Sequence, residues 1–311
     1  MDLTELFCEI DDFCQDWLAT FSSISFPANG NSLPKHCRLS LSEVMTISIH
    51  FHQSSYRTFK DYYLKNVCQN LTDYFPKLVS YNRMVELMPN VLTACLYYLN
   101  SRQGQVTGIS FVDSTAIPVC HPKRIKRNKV FKETAKLSKS SMGWYFGFKL
   151  HLADATTRRF PPHVLHQAII NDCGEILSCK ITPGNVDDRT HLPSMTQGIS
   201  GKIFGDKGYI KQELFEELLN KGLQLITPLK SNMKNKLILM DDKISLRKRS
   251  LIETVNDQLK NISYLVHSRH RSLHNFMLNL ITALIAYTHQ PKKPSLKLDE
   301  YAQNFFSIVP I

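Results

Sequence analysis

No C-x-x-C pair occurs in the sequence; its eight cysteines are scattered at positions 8, 14, 37, 68, 95, 120, 173 and 179. Zinc ribbons and disulfide frameworks need closer, paired spacing, so both are excluded and reduced thiols of a cytoplasmic protein are expected. Long hydrophobic runs are missing too. The longest apolar stretch, Met277 to Tyr287, falls far short of the roughly 20 residues of a membrane span. The start, Met1-Asp-Leu-Thr-Glu-Leu6, has no basic region before an apolar one, so no signal peptide is expected. There is no internal repeat and no low-complexity tract. Acidic residues are in deficit: 27 Asp+Glu against 38 Lys+Arg give a net charge of +11. That balance points to a polyanionic partner, nucleic acid first. What is present is a globular composition, 43% hydrophobic and 21% charged over 311 residues, enough to bury a sizeable core.

Two textures divide the chain. Residues 1 to 105 read as helical: Leu3, Leu6, Phe7, Ile10 and Phe13 follow helical spacing, Ser40 to Glu43 forms a capping box, and Ser80 and Pro89 mark further starts. Tyr56, Phe59, Tyr62 and Tyr63 interleave with Arg57, Lys60 and Lys65. This suits a DNA-reading module of helix-turn-helix type, or equally a helical bundle with an aromatic core. From Gln105 the pattern becomes α/β with a mixed sheet. Strands are expected over 106–119, 144–152, 168–170, 175–181, 201–205 and 223–227, and helices over 187–197, 211–221, 246–265 and 271–289. These boundaries give a helical region at 1–105, an α/β domain at 106–290 and a tail at 291–311.

Three acids stand out by context. Asp113 sits inside an otherwise apolar strand, Ile109-Ser-Phe-Val-Asp-Ser-Thr115, where a carboxylate is costly unless it meets a cation. Asp206 follows a strand in Gly205-Asp-Lys-Gly-Tyr209, and strand ends of α/β sheets are where ligands sit. Glu253 lies on a helix whose polar face also carries Arg249, Asn256 and Lys260, opposite an apolar stripe of Leu251, Val255, Leu259 and Ile262. Three such carboxylates suit a pair of magnesium ions, which favour oxygen ligands and activate an attacking water or hydroxyl at a phosphodiester. Taken singly, each acid also reads as an N-cap, a turn residue or a solvated helix face.

In order and spacing, at separations of 93 and 47 positions, Asp113, Asp206 and Glu253 resemble the D-D-E triad of bacterial insertion-sequence transposases. Thr182-Pro-Gly-Asn-Val-Asp-Asp-Arg189 looks like a second block of the same family, and over residues 35–290 the chain is most similar to the insertion-sequence 982 family. Arg249, Glu253 and Lys260 fit the related Y-R-E-K signature, with Leu246 in the tyrosine slot. About fifteen residues, Ala153 to Gln167, look inserted between two paired strands. The resemblance implies an RNase H-like fold with Asp113 on the first strand and Asp206 just after the fourth. It further implies catalytic, metal-binding roles for Asp113, Asp206 and Glu253. The cofactor would be magnesium, with manganese able to substitute. The reaction would be cleavage at element ends and attack of the freed 3′-hydroxyl on target DNA. The partner is then double-stranded DNA, both terminal inverted repeats and target, handled by a dimer or higher oligomer in the bacterial cytoplasm at the nucleoid.

The segment His121 to Lys139 carries eight Lys/Arg against one Glu. Lys123, Arg124, Lys126, Arg127 and Lys129, with Arg249 and Lys260 near Glu253, are candidate phosphate contacts, and Asn256 a supporting residue. Trp144 reads as core more readily than as a base-stacking residue, and His50, His52, His267 and His270 as structural. Three functions remain: a D-D-E transposase, a metal-dependent nuclease that cuts without joining, and a non-catalytic DNA-binding relic of a transposase.

Overall fold

The computed structural model describes residues 2–21, 37–140, 143–152, 168–233, 237–263 and 270–296. In α1 (Leu3–Phe21), Leu3, Leu6, Ile10, Cys14 and Trp17 are buried along one face, with Phe7 and Phe13 half-buried beside it. The expected capping box opens α2 (Leu41–His50): the Glu43 amide donates to Ser40 Oγ at 3.1 Å and the Ser40 amide to Glu43 Oε2 at 2.6 Å. Next, α3 (Phe59–Tyr62) runs through a π turn, Tyr63–Val67, into α4 (Cys68–Asn70). Ser80 caps α5 (Tyr81–Leu87), and a 3-10 turn carrying Pro89 leads into α6 (Leu92–Ser101). Tyr62 and Tyr63 are fully buried, and Phe59 packs against the rings of Phe51, Tyr62, Tyr63 and Tyr81. Arg57, Lys60 and Lys65 are exposed. Here the aromatics serve the core and the bases face solvent.

Eight strands follow: β1 (Ile109–Asp113), β2 (Thr115–Cys120), β3 (Lys136–Ser140), β4 (Gly143–Leu152), β5 (Ala168–Asn171), β6 (Ile176–Pro183), β7 (Gly201–Phe204) and β8 (Leu223–Ile226). They form one sheet in the order β2-β4-β6-β5-β1-β7-β8, with β3 beside β4. The β1–β7 and β7–β8 pairs are parallel and the rest antiparallel. Numbered among themselves, β1, β5, β6, β7 and β8 lie in the order 3-2-1-4-5, a mixed arrangement consistent with an RNase H-like domain.

Three local expectations need correction. The single strand expected over 106–119 is two, divided at Ser114, where no glycine or proline marks the break. β1 is central while β2 leaves for the far edge. β3 was not anticipated, because its Lys136-Leu-Ser-Lys-Ser140 lacks apolar alternation; lysines on an edge strand instead discourage pairing with a second sheet. The helix expected over 246–265 is two, α9 (Met240–Arg247) and α10 (Ser250–Asn261). Ile262 lies past the end of α10 and is exposed, and Ile252 joins Leu251, Val255 and Leu259 in the buried stripe.

Strand alternation sorts the core into two layers. Phe111, Ile170, Ile176, Phe204 and Ile226 face a large cluster that includes α10, α11 (Leu273–Thr288) and the N-terminal helices. Their neighbours Val112, Ile169, Leu177, Ile203 and Leu225 face a smaller cluster with α7 (Leu192–Met195) and α8 (Gln212–Asn220). α11 is buried on nearly every side and packs against α2 and α6. The buried His52 ring contacts the Ser263 carbonyl oxygen at 2.7 Å and Thr282 Oγ1 at 3.1 Å, tying the first helices to the last.

Gly147 tests this register. It lies opposite Pro118 in β2 and Lys136 in β3, and a Cβ there would drive into the Ile117 carbonyl oxygen. Gly147→Ala is expected to cost about 1–3 kcal/mol, read as a lowered Tm. An unchanged Tm would contradict the β2–β4 pairing.

Candidate active site

The site forms where two neighbouring parallel strands end. Phe111 of β1 pairs with Phe204 of β7, so Asp113 and Asp206, each two residues further on, reach the same end of the sheet. Asp113 shares the face of Phe111, which is the face α10 covers. Asp206 caps a 3-10 turn, Lys207–Tyr209, its Oδ1 accepting from the Gly208 amide at 2.9 Å. A Cβ at Gly208 would press on that carboxylate and one at Gly205 would sit tight against the Tyr209 ring.

α10 supplies the third carboxylate. Arg249, Glu253, Asn256 and Lys260 recur at helical spacing on one face, while Leu251, Ile252, Val255 and Leu259 are buried on the other. Arg249 bridges the acids: Nη2 lies 2.6 Å from Glu253 Oε1 and Nη1 lies 3.7 Å from Asp113 Oδ1. Asn256 Nδ2 donates to Asp113 Oδ2 at 3.3 Å. Arg249 is therefore engaged inside the acidic group. Lys260 is half-buried, and its ammonium is drawn down by burial and held up in part by the charge of Asp113.

Sequence reasoning assigned no role to a further group at this end of the sheet. Ser114 Oγ donates to Asp188 Oδ2 at 2.9 Å, and Lys149 Nζ donates to Asp188 Oδ1 at 2.9 Å and to the Val186 carbonyl oxygen at 3.0 Å. Asp188 thus fastens the turn after β6 to the residue that follows Asp113. Its only signal was membership of the Thr182–Arg189 block. The Tyr209 hydroxyl is buried with no hydrogen-bond partner among the described residues. Burial, then the charges of Asp188, Asp113 and Asp206, push its phenol well above the usual range. Lys202 Nζ to Asp242 Oδ1, at 2.6 Å, anchors α9 to β7.

Lys123, Arg124, Lys126 and Arg127 sit on a 3-10 turn, Pro122–Arg127, with Lys129 just beyond; all five are exposed and none forms an ion pair with another described residue. This turn stands at the far end of β2 from Asp113, about 20 Å away along the strand, rather than beside the carboxylates. Residues 153–167, the expected insertion, lie outside the described residues.

The Asp113 carboxyl is raised to about 6: burial is the main cause, the charges of Asp206 and Glu253 add to it, and Arg249 and the Ser114 amide oppose it. Such a carboxylate, with two more acids close by, has the donor chemistry of a divalent-cation site. Among the described residues no three acidic, histidine or cysteine side chains converge on one metal position, and the guanidinium of Arg249 lies against two of the acids instead. No helix of the described residues is long and apolar enough to cross a membrane.

The raised Asp113 carboxyl fixes a sign. As pH climbs from 3.8 to about 6, the unfolded chain ionises this group while the fold still holds it protonated, so stability is lost across that window. Asp113→Asn removes the cost. The variant is expected to gain about 2 kcal/mol over the parent above the upper limit and little below the lower one. Thermal melts of both proteins across this range would show it; a gap that does not change with pH would contradict it.

Residues 103–273, more than half of the chain, match the family model described as a transposase DDE domain. No curated protein and no solved structure matches. The match begins before β1 and ends at the start of α11, so it contains every strand of the sheet, both aspartates and the Glu253 helix. The chain belongs to the transposase DDE domain family, whose activity makes DNA its substrate.

Proposed function

We propose that the chain is the transposase of a bacterial insertion sequence of the 982 family, acting on the ends of its own element through Asp113, Asp206 and Glu253. One observation carries this reading. Strand pairing puts Asp113 and Asp206 at one end of the sheet, and a helix 47 residues further on turns Glu253, Arg249, Asn256 and Lys260 towards them.

In this reading Asp113 and Asp206, joined by Glu253, hold magnesium, for which manganese substitutes. When bound, the metal polarises the phosphate and lowers the pKa of an attacking water. The chain's own residues do the rest. Asn256 holds one oxygen of Asp113 in place, and Asp188 fixes the backbone after it through Ser114. Arg249 and Lys260 offer positive charge to the phosphate oxygens as negative charge builds on them. The first step is attack of a water oxygen on phosphorus, which breaks the bond to the 3′-oxygen and leaves a 3′-hydroxyl. In the second, that hydroxyl attacks a target phosphate, forming one P–O bond and breaking another.

The exposed bases Lys123, Arg124, Lys126, Arg127 and Lys129 would hold the DNA backbone away from the chemistry. Residues 1–105 would bind element ends, residues 106–290 carry the reaction, and residues 291–311 form a tail. Synapsis of two ends calls for a dimer or higher oligomer at the nucleoid.

The test is cleavage and strand joining on labelled duplexes of element ends, with magnesium or manganese, comparing the parent chain with Asp113→Ala, Asp206→Ala and Glu253→Ala. Metal-dependent cutting and joining are expected in the parent and should fall to background in all three variants. Cutting without joining would replace this reading with a nuclease. Specific DNA binding without chemistry would replace it with a relic.

A further inference from the structure

The chain's two tryptophans have opposite environments. Trp17 is 7% exposed in the helical core, whereas Trp144 is 62% exposed on the β3–β4 hairpin. Scattered surface leucines need no explanation, but a large, stiff indole left in water costs solvation that a partner can recover. Among the described residues the Trp144 ring has no aromatic partner.

The register shows what surrounds it. Lys139 pairs with Trp144 and Leu137 with Phe146, so these four side chains share one face of the ribbon. Phe146 is buried at the inner end, while Leu137 is 46% exposed next to Trp144. On the other side of β4, Cys120 pairs with Phe146, two residues from Trp144. The turn bearing Lys123, Arg124, Lys126 and Arg127 begins two residues after Cys120 and packs on β4. Indole, lysine and basic turn therefore gather at one end of the β2–β4 pair, and Glu133 is the sole acid from His121 to Lys139. A partner for this surface must carry repeated negative charge and expose flat apolar faces. Nucleic acid does both: the phosphates meet the bases, and an unstacked nucleobase meets the indole.

We propose that Trp144 is a base-stacking residue of the DNA-binding surface, clamping a nucleobase between the β3–β4 hairpin and the phosphates held by the Lys123–Arg127 turn. This rests on DNA being the substrate and adds where and how the strand is gripped. Thr115, two residues after Asp113, pairs with Leu150, six residues along β4 from Trp144. That is about 20 Å, or roughly six nucleotides of one strand. The stacked base thus lies well away from the phosphate attacked beside Asp113, on the flank of the site.

The experiment uses the full chain carrying Trp17→Phe, which leaves Trp144 as the sole fluorophore of its kind, with an oligothymidylate and a mixed-sequence duplex as probes. Binding is followed by anisotropy of the labelled DNA and stacking by indole emission and iodide quenching. Iodide is expected to reach the indole in the free chain, and DNA to quench its emission and shield it. Trp144→Ala is expected to weaken DNA binding about 5- to 100-fold, with Tm unchanged; Trp144→Phe should retain most of the affinity and Trp144→Leu should not. Three results overturn the proposal. The alanine variant binds as tightly as its parent with indole emission unmoved by DNA; the indole is already shielded from iodide without DNA, so the chain itself covers it; or aromatic and aliphatic replacements behave alike. The first two leave DNA binding intact, so they separate failure of stacking from failure of the DNA reading. Absence of any binding by the parent overturns both.

Discussion

A carboxylate placed at the end of a central strand must be met by positive charge, and this constraint organises the whole site. Asp113 stands where β1 leaves the sheet, beside Asp206 and within reach of Glu253, and burial already favours its neutral form. The fold answers with Arg249. Its guanidinium meets Glu253 one turn along the same helix, and it reaches Asp113 because α10 packs on the sheet face through Leu251, Ile252, Val255 and Leu259. α11 packs behind that helix, and α9, which precedes it, is anchored to β7 through Lys202 and Asp242. Hydrophobic packing thus sets the charge geometry. An arginine between two acids supplies positive charge where a divalent cation would, and Lys260 adds to it near Asp113.

The helical layer is not a separate appendage to this arrangement. α11 follows the sheet in sequence yet packs against α2 and α6, and His52 bonds to residues more than 200 positions away. The N-terminal helices are therefore packed on the element that lies behind α10. The exposed bases of the Pro122–Arg127 turn sit elsewhere, at the far end of β2, so the acidic cluster and this basic turn are separated by the length of a strand.

Much of the site was legible in the sequence because it is local. Asp113 was conspicuous as an acid in an apolar strand, Asp206 by its flanking glycines, and Glu253, Arg249, Asn256 and Lys260 by helical spacing that needs no tertiary knowledge. The capping box at Ser40 and most strands were visible for the same reason. What escaped depends on pairing across the fold. The Asp188 bonds to Ser114 and Lys149 join residues 74 and 39 positions apart. The break at Ser114 follows from β1 and β2 taking different neighbours, not from a turn residue. β3 hid behind its lysines, and the exposure of Trp144 depends on where the hairpin ends relative to the core. The interleaved tyrosines near residue 60 were ambiguous because burial on one side and charge on the other serve a bundle and a DNA-reading module equally well.

Under the proposed function, Asp113, Asp206 and Glu253 would form one divalent-cation centre, with Arg249 supplying part of its positive charge. Manganese binding followed by calorimetry, in the full chain without DNA, tests it most directly. The account predicts binding in the parent, its loss in Asp113→Asn and in Asp206→Asn, and weakening in Glu253→Gln. Equal manganese affinity in the parent and all three variants would contradict it.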